Sequence, residues 1–198
     1  MTAQWPDLVD FDQTVFDLAG VCGGPLFEPA DIGLLPLMIN TACWRGHVCT
    51  YAVRGDRLIL ADLMVGEQCL LNGEKVTART ELRGVTPQRS ERWGDGTLTF
   101  RGLDIPVMFS GGLLLGSGFI QAHYVHMGFH PAWKYRRVTE ILLREGHLTE
   151  AQDRSAEIAR IRRAIERGEV RDPDGVPEGV AWVRRAFTLD YGRTFGPG

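Results

Sequence analysis

Three of the five histidines in the chain, His123, His126 and His130, fall within eight residues. Imidazole titrates near neutral pH, so this cluster is suited to metal binding or to proton transfer. On a helix the three side chains would share one face, but Gly128 and Pro131 argue against a helix here. On a strand His123 and His126 would point to opposite faces. We therefore predict no metal site within this cluster.

Acid–base catalysis is the second chemistry that the cluster suggests. His126 would act as the general acid or base, and it would need a cavity and an orienting carboxylate. Neighbouring strand patterns offer Asp62, Asp104 and Glu140, of which we take Asp62 and Glu140 as candidate catalytic partners. Two histidines with one of these carboxylates could also hold a metal, although the spacing does not indicate it. The alternatives for His126 are ligand binding without chemistry and a structural hydrogen bond.

A second block combines an aromatic, a cation and an imidazole around Trp44 and Arg45. An indole can stack on a ligand, and a guanidinium can bind a carboxylate or a phosphate. We predict that Arg45 and His126 line one cavity, with His130 as a further polar group and with Trp44 and Tyr124 as aromatic walls. The alternative is that Trp44 closes one end of a barrel and that Arg45 covers it.

Several function classes are disfavoured by what the sequence lacks. The four cysteines form no Cys-x-x-Cys pair, and the zinc-ribbon and disulfide-scaffold spacings are absent. No P-loop or dinucleotide fingerprint occurs, so we predict no cofactor. There is no signal-peptide pattern, and no apolar run approaches the ~18 residues of a membrane helix. We therefore expect a cytoplasmic protein with free thiols.

The charge distribution is uneven along the chain. The net charge of -3 argues against binding to nucleic acids or to anionic membranes. Residues 1–44 contain six acidic side chains and no Lys or Arg, whereas residues 154–171 contain six Arg and three Glu. These stretches are either two solvated faces, or an acidic segment that docks near a basic helix.

Short strand patterns separated by turn residues extend from residue 41 to residue 154. Residues 47–53 and 58–65 flank a glycine-containing turn, and Asn72-Gly73 is a strong hairpin signal. We also assign residues 124–127 to a strand. The pattern predicts a mainly β (α+β) fold, an antiparallel barrel-like meander with one C-terminal amphipathic helix and a packed tail.

The helix is predicted from Ser155 to Arg167, with Ser155 as its N-cap. Ile158, Ile161 and Ile165 form an apolar stripe that should be buried, which would leave the arginines facing outward. The predicted organisation is therefore an irregular N-terminal segment (residues 1–40), an antiparallel β domain (41–154), the helix (155–168) and the tail (169–198).

Two blocks carry a resemblance to known sequences. Residues 40–46 and residues 124–128 each precede a hairpin, with the sequences Asn-Thr-Ala-Cys-Trp-Arg-Gly and Tyr-Val-His-Met-Gly. Over residues 40–153 the chain resembles a family of uncharacterised bacterial proteins that have a Trp-Arg-Gly block and a Val-His-Met-Gly block. The resemblance implies no activity.

These observations favour a cytoplasmic small-molecule-binding protein, because barrel mouths are common ligand sites. Two alternatives stay open. One is a cofactor-independent lyase, isomerase or cyclase that uses His126 as the acid or base. The other is a protein-binding module, such as an immunity or regulatory protein, that uses the arginine-rich helix and the aromatic tail. A small-molecule partner is expected, nucleic-acid and membrane partners are not, and homo-oligomer formation is left open.

Overall fold

The computed structural model describes residues 2–89, 92, 94–169 and 191. Within these residues the chain forms twelve strands, three short 3-10 helices and one α-helix. The strands are β1 (Leu8–Phe11), β2 (Thr14–Cys22), β3 (Leu34–Leu35), β4 (His47–Arg54), β5 (Arg57–Gly66), β6 (Leu70–Leu71), β7 (Glu74–Lys75), β8 (Gln88–Arg89), β9 (Thr97–Pro106), β10 (Gly111–Phe119), β11 (Tyr135–Arg144) and β12 (His147–Asp153). The 3-10 helices span Pro29–Ile32, Gln121–His123 and Ala132–Lys134, and the helix α1 spans Ser155–Glu166.

Seven strands form a ring in the order β12–β11–β10–β2–β1–β4–β5. The ring closes where His147 of β12 pairs with Arg57 of β5. β9 and β8 continue outward from β5, and β3, β6 and β7 make a separate small sheet. Every neighbouring pair is antiparallel except β1 and β4, which run parallel. The predicted mainly β, barrel-like fold with one C-terminal helix is confirmed.

The alternation of side chains along β4 divides the ring into an interior and an outer face. Cys49 and Tyr51 point inward and join a large apolar core. Val48 points outward and packs with Cys43 and Met64. This is the period of two that a strand imposes when both of its faces are covered. The outer cover here is the chain that leads into β4.

The helix α1 lies against the outer face of the ring, as its apolar stripe predicts. Ile158 is buried there with Trp133 and Val138, while Ile161 and Ile165 are half-buried beside them. The stripe therefore sets which face of the helix meets the sheet, because apolar burial outweighs exposed ion pairs.

Two details of the helix differ from prediction. Ser155 is not the N-cap: Arg154 occupies that position, and the hydroxyl of Ser155 instead accepts a hydrogen bond from the backbone N–H of Val138 at 3.1 Å. Arg162 does not face outward, because its guanidinium donates to the carbonyl oxygens of Trp133 and Tyr135. The carbonyls of a 3-10 helix and of the strand that follows it leave acceptors that a long side chain can reach.

The N-terminal segment is not irregular throughout, which corrects the prediction for residues 1–40. Asp12 and Gln13 have φ angles of 47° and 60°, and they join β1 to β2 in a tight hairpin in the middle of the ring. Among the described residues, no ion pair joins the acidic residues of this segment to an arginine of the helix. Asp7 and Asp10 instead pair with Arg45 and with Arg54 of β4.

The assignment of residues 124–127 to a strand is also wrong. The backbone N–H groups of His123 and Tyr124 donate to the carbonyl oxygens of Ile120 and Gln121, so the chain turns here and forms no ladder. Most of the predicted tail, residues 170–190 and 192–198, lies outside the described residues. No helix among the described residues is long and apolar enough to cross a membrane.

Candidate functional site

A cavity of about 950 Å³ lies at one end of the ring. Asp7 directly precedes β1, Val21 is near the end of β2, and His47 begins β4, so the strand directions bring all three to the same end. Leu18 and Tyr51 line the cavity and also belong to the ring interior. The cavity is therefore the mouth of the barrel-like ring.

The remaining walls come from three loops. One loop runs through residues 23–28, one precedes β4 and one contains Phe129. Among the described residues, the lining consists of Gln4, Asp7, Leu18, Val21, Gly23, Gly24, Pro25, Leu26, Phe27, Glu28, Trp44, Arg45, His47, Tyr51 and Phe129. Most of these side chains are apolar, and a few polar groups converge among them, which is the usual composition of a small-molecule site.

Gly46 sets the turn that delivers Arg45 and His47 to this cavity. Its φ angle is 76°, in the left-handed region, and a Cβ atom added here would lie 2.4 Å from the carbonyl oxygen of Leu37. Both the conformation and the close approach require glycine. The local backbone structure thus explains why the Trp-Arg-Gly block has a glycine at position 46.

Arg45 is held by Asp7 in a two-pronged ion pair. The terminal nitrogens Nη1 and Nη2 each donate to one carboxylate oxygen at 2.8 Å, and Nη2 also donates to the carbonyl oxygen of Trp5 at 3.1 Å. Asp7 in turn accepts a hydrogen bond from the backbone N–H of Cys49 at 2.6 Å. The pair links the chain before β1 to β4, so it fastens the two parallel strands at the mouth.

The guanidinium of Arg45 is consequently occupied by the protein itself. Its central carbon lies 5.2 Å from the centroid of the Phe129 ring. Its Nε atom is buried and has no hydrogen-bond partner within the described part of the chain. The sequence suggested that Arg45 binds a carboxylate or a phosphate of a small molecule. In the structure it binds the carboxylate of Asp7.

Only one ring nitrogen of His47 has a hydrogen-bond partner among the described residues. Its Nδ1 lies 3.0 Å from the carbonyl oxygen of Arg45. A carbonyl only accepts, so Nδ1 carries the proton and Nε2 presents a lone pair. Burial and the nearby Arg45 charge lower the pKa of His47 below its ordinary value, although Asp7 and Glu28 oppose this. His47 is therefore neutral at pH 7, and Nε2 is a hydrogen-bond acceptor.

A smaller cavity of about 160 Å³ contains Tyr124 and His130, together with Asp17, Tyr135 and other residues. The His130 ring packs on Phe119, with centroids 4.5 Å apart. Both of its nitrogens are buried without a partner among the described residues, and burial, helped by Lys134, lowers the pKa of His130 to about 4.

The two cavities meet at the N-terminal chain. Gln4 lines both of them. Its backbone N–H donates to the carbonyl oxygen of Gly128, and the next N–H, of Trp5, donates to that of Ala42, both at 2.8 Å. The two blocks singled out in the sequence are therefore neighbours, joined by residues that neither block contains.

The predicted site residues are distributed as follows. Trp44 and Arg45 line the large cavity, and Tyr124 and His130 line the small one. His126 is exposed and contacts the ring of Tyr124, with centroids 4.8 Å apart. The prediction that Arg45 and His126 line one cavity is wrong for both of these cavities, because the turn at residues 120–124 carries His126 outward.

The two proposed catalytic carboxylates have other partners. Asp62 on β5 accepts a hydrogen bond from the N–H of Gly102 at 3.0 Å. Glu140 on β11 is buried and accepts hydrogen bonds from Arg154 at 2.9 Å and from Tyr191 at 3.1 Å. Neither lines the large or the small cavity, so a catalytic role for His126 with these carboxylates stays a prediction without support from the geometry. The described residues contain no group of three or more potential metal ligands.

Sequence reasoning noted the imidazole of the second block, His47, without assigning it to the site, and it missed Asp7 and Phe129. The one available signal was the acidic N-terminal segment, which has no cations of its own and so must find them elsewhere in the fold. Comparisons of this chain with protein-family models, with curated proteins and with solved structures gave no match.

Proposed function

We propose that this chain is a cytoplasmic small-molecule-binding protein whose ligand enters the large cavity at the mouth of the ring. The observation that carries the proposal is the cavity itself. Its volume of about 950 Å³ lies at the upper end of the roughly 300–1,000 Å³ usual for ligand pockets. The four free thiols suit a reducing compartment.

The surrounding framework supports a cavity that keeps its shape without a ligand. The floor belongs to the closed ring, and the Asp7–Arg45 pair fastens two strands at the rim. A preformed floor and a fastened rim reduce the ordering cost of binding, which favours affinity for a matching ligand.

A fluorescence titration with N-phenylnaphthylamine tests the proposal. This dye is uncharged and aromatic, and it becomes fluorescent in apolar surroundings. We expect saturable binding of one dye per chain. Val21→Trp places a large ring in the cavity and should weaken binding at least tenfold.

Val15→Trp is the matched control for this test. Val15 lies on the same strand, is 54% exposed and does not line the cavity, so the same substitution should leave dye binding unchanged. Equal binding by the two variants would place the dye elsewhere, and the absence of saturable binding to the wild type would refute the proposal.

A further inference from the structure

The charge balance of the large cavity identifies a class of ligand. Among the described residues, its lining contains two carboxylates, Asp7 and Glu28, and one guanidinium, Arg45, which gives these residues a formal charge of -1. The carboxylate of Asp7 already neutralises Arg45 through two hydrogen bonds at 2.8 Å. Within the described lining, an organic acid would therefore meet a cation whose charge is already balanced by Asp7, and it would also meet the charge of Glu28.

The hydrogen-bonding groups of the lining point the same way. The side-chain amide of Gln4 is hydrogen-bonded within the protein. Its nitrogen donates to the carbonyl oxygens of Thr2 and Thr41, and its oxygen accepts from the N–H of Trp44. The Nε2 of His47 hydrogen-bonds to no described residue, and its tautomer makes it an acceptor. The open polar groups of His47 and Glu28 are both acceptors, whereas the Nε–H of Arg45 is a buried donor with no partner among the described residues.

The apolar walls define the body of the ligand. Phe27, Trp44 and Phe129 contribute aromatic rings, and Leu18 and Leu26 contribute aliphatic surface. Aromatic side chains pack favourably on planar rings in offset or edge-on arrangements. Phe27 already meets the His47 ring edge-on, with centroids 6.0 Å apart, so the imidazole and this aromatic wall are neighbours.

We infer that the large cavity selects uncharged aromatic molecules that donate a hydrogen bond, such as arylamines, phenols or indoles, and that it discriminates against aromatic acids. The donor group binds the Nε2 of His47, and Glu28 at the rim repels anions. The inference rests on the proposed function, and it reverses the role that the sequence suggested for Arg45.

A matched pair of dyes tests the charge preference. Anilinonaphthalene sulfonate shares its ring system with N-phenylnaphthylamine and adds an anionic sulfonate. We expect the sulfonate to bind wild type at least tenfold more weakly. Glu28→Gln should reduce this ratio about two- to threefold, the effect of one charge at several ångströms in water. Asp7→Asn, which releases the cation of Arg45, should reduce it further.

The N-methylated dye, in which the N–H is replaced by a methyl group, tests the hydrogen bond to His47. A neutral hydrogen bond contributes about 0.5–1.5 kcal/mol, or roughly two- to twelvefold in affinity. N-methylation should therefore weaken binding by such a factor in wild type and much less in His47→Phe, which keeps a ring but has no acceptor. The steric effect of the methyl group is present in both wild type and His47→Phe, so it cancels when the two losses of affinity are compared.

The outcomes separate the inference from the function on which it rests. If both dyes bind at the Val21 site with equal affinity, or if N-methylation weakens wild type and His47→Phe alike, the inference is overturned and the binding function stands. If neither dye binds, the inference and the proposed binding function are both refuted. Glu28 is exposed, so Glu28→Gln should fold normally even where Asp7→Asn does not.

Discussion

Removing the charge of Asp7 should destabilise the protein far more than removing the charge of Asp10, three residues further on. Both carboxylates pair with an arginine at 2.8 Å. The two pairs differ in their surroundings: the side chains of Arg45 and Asp7 are 24% and 10% exposed, whereas those of Arg54 and Asp10 are 59% and 28% exposed. The contact distance is the same, so the comparison measures the effect of burial together with the additional hydrogen bonds that Asp7 accepts.

The expected magnitudes follow from that difference. Two unit charges about 4 Å apart attract by about 4 kcal/mol at an effective dielectric constant of about 20. Breaking a buried pair by removing one partner costs about 3–5 kcal/mol, because the other charge is left in a poorly solvated place. Arg45 keeps some contact with water, so we expect about 3 kcal/mol for Asp7→Asn. The exposed pair should contribute no more than about 1 kcal/mol, which sets the limit for Asp10→Asn.

Urea unfolding followed by far-ultraviolet circular dichroism at pH 7 measures both free energies. The double variant Asp7→Asn with Arg45→Met leaves neither charge without its partner. Its loss of unfolding free energy should therefore be smaller than the sum of the losses in the two single variants. Raising the salt concentration should reduce the effect of Asp10→Asn more than that of Asp7→Asn, since exposed charges are screened more strongly. Equal losses for the two aspartates would refute the view that burial makes Asp7 the structural partner of Arg45.

Two further predictions concern groups whose surroundings differ from what the sequence suggested. Arg162→Ala should cost about 2 kcal/mol, because it removes charged donors from the carbonyl oxygens of Trp133 and Tyr135, whereas Arg160→Ala should cost at most about 0.5 kcal/mol. Burial lowers the pKa of His130 to about 4 from its ordinary 6.5, so the unfolded chain binds the extra proton between these values, and stability falls as the pH drops from 6.5 to 4. His130→Phe should remove this loss.

Denaturant melts measure both effects. Arg160 is 69% exposed on the same helix, which makes Arg160→Ala a control for any change in helix propensity. Equal costs for the two alanine variants would mean that the Arg162 hydrogen bonds do not stabilise the helix. For His130→Phe, the informative quantity is the change in stability between pH 6.5 and pH 4. An unchanged acid-side slope would assign the titration to other groups.

The sequence predicted the elements that depend on neighbouring residues. Asn72 and Gly73 have φ angles of 51° and 87°, the geometry of a two-residue hairpin, and the strands on either side follow from it. The stripe of α1 was predictable for the same reason, since its spacing follows from the helix period alone. Residues 124–127 were misassigned because β-branched and aromatic residues suit a strand, while the turn before them is fixed by hydrogen bonds that the pattern does not encode.

The site was less predictable because it is assembled across the chain. Asp7 and Arg45 are 38 positions apart, and they meet because β1 and β4 pair in parallel, a register that no local pattern specifies. Phe129 reaches the same guanidinium from a third region. Sequence reasoning could recognise an arginine suited to anion binding, but not that a carboxylate of the same chain already occupies it.

The choice between two histidines shows what a structure adds to residue type. His126 and His47 have the same side chain, with the same two ring nitrogens. His126 follows a 3-10 turn that carries it to the surface, where water can satisfy both of its nitrogens. The Gly46 turn places the Arg45 carbonyl 3.0 Å from the Nδ1 of His47, which fixes one tautomer beside an apolar cavity. A defined acceptor in such a place can discriminate between ligands, whereas an imidazole in bulk water is free to take either tautomer. This is why the ligand preference is assigned to His47.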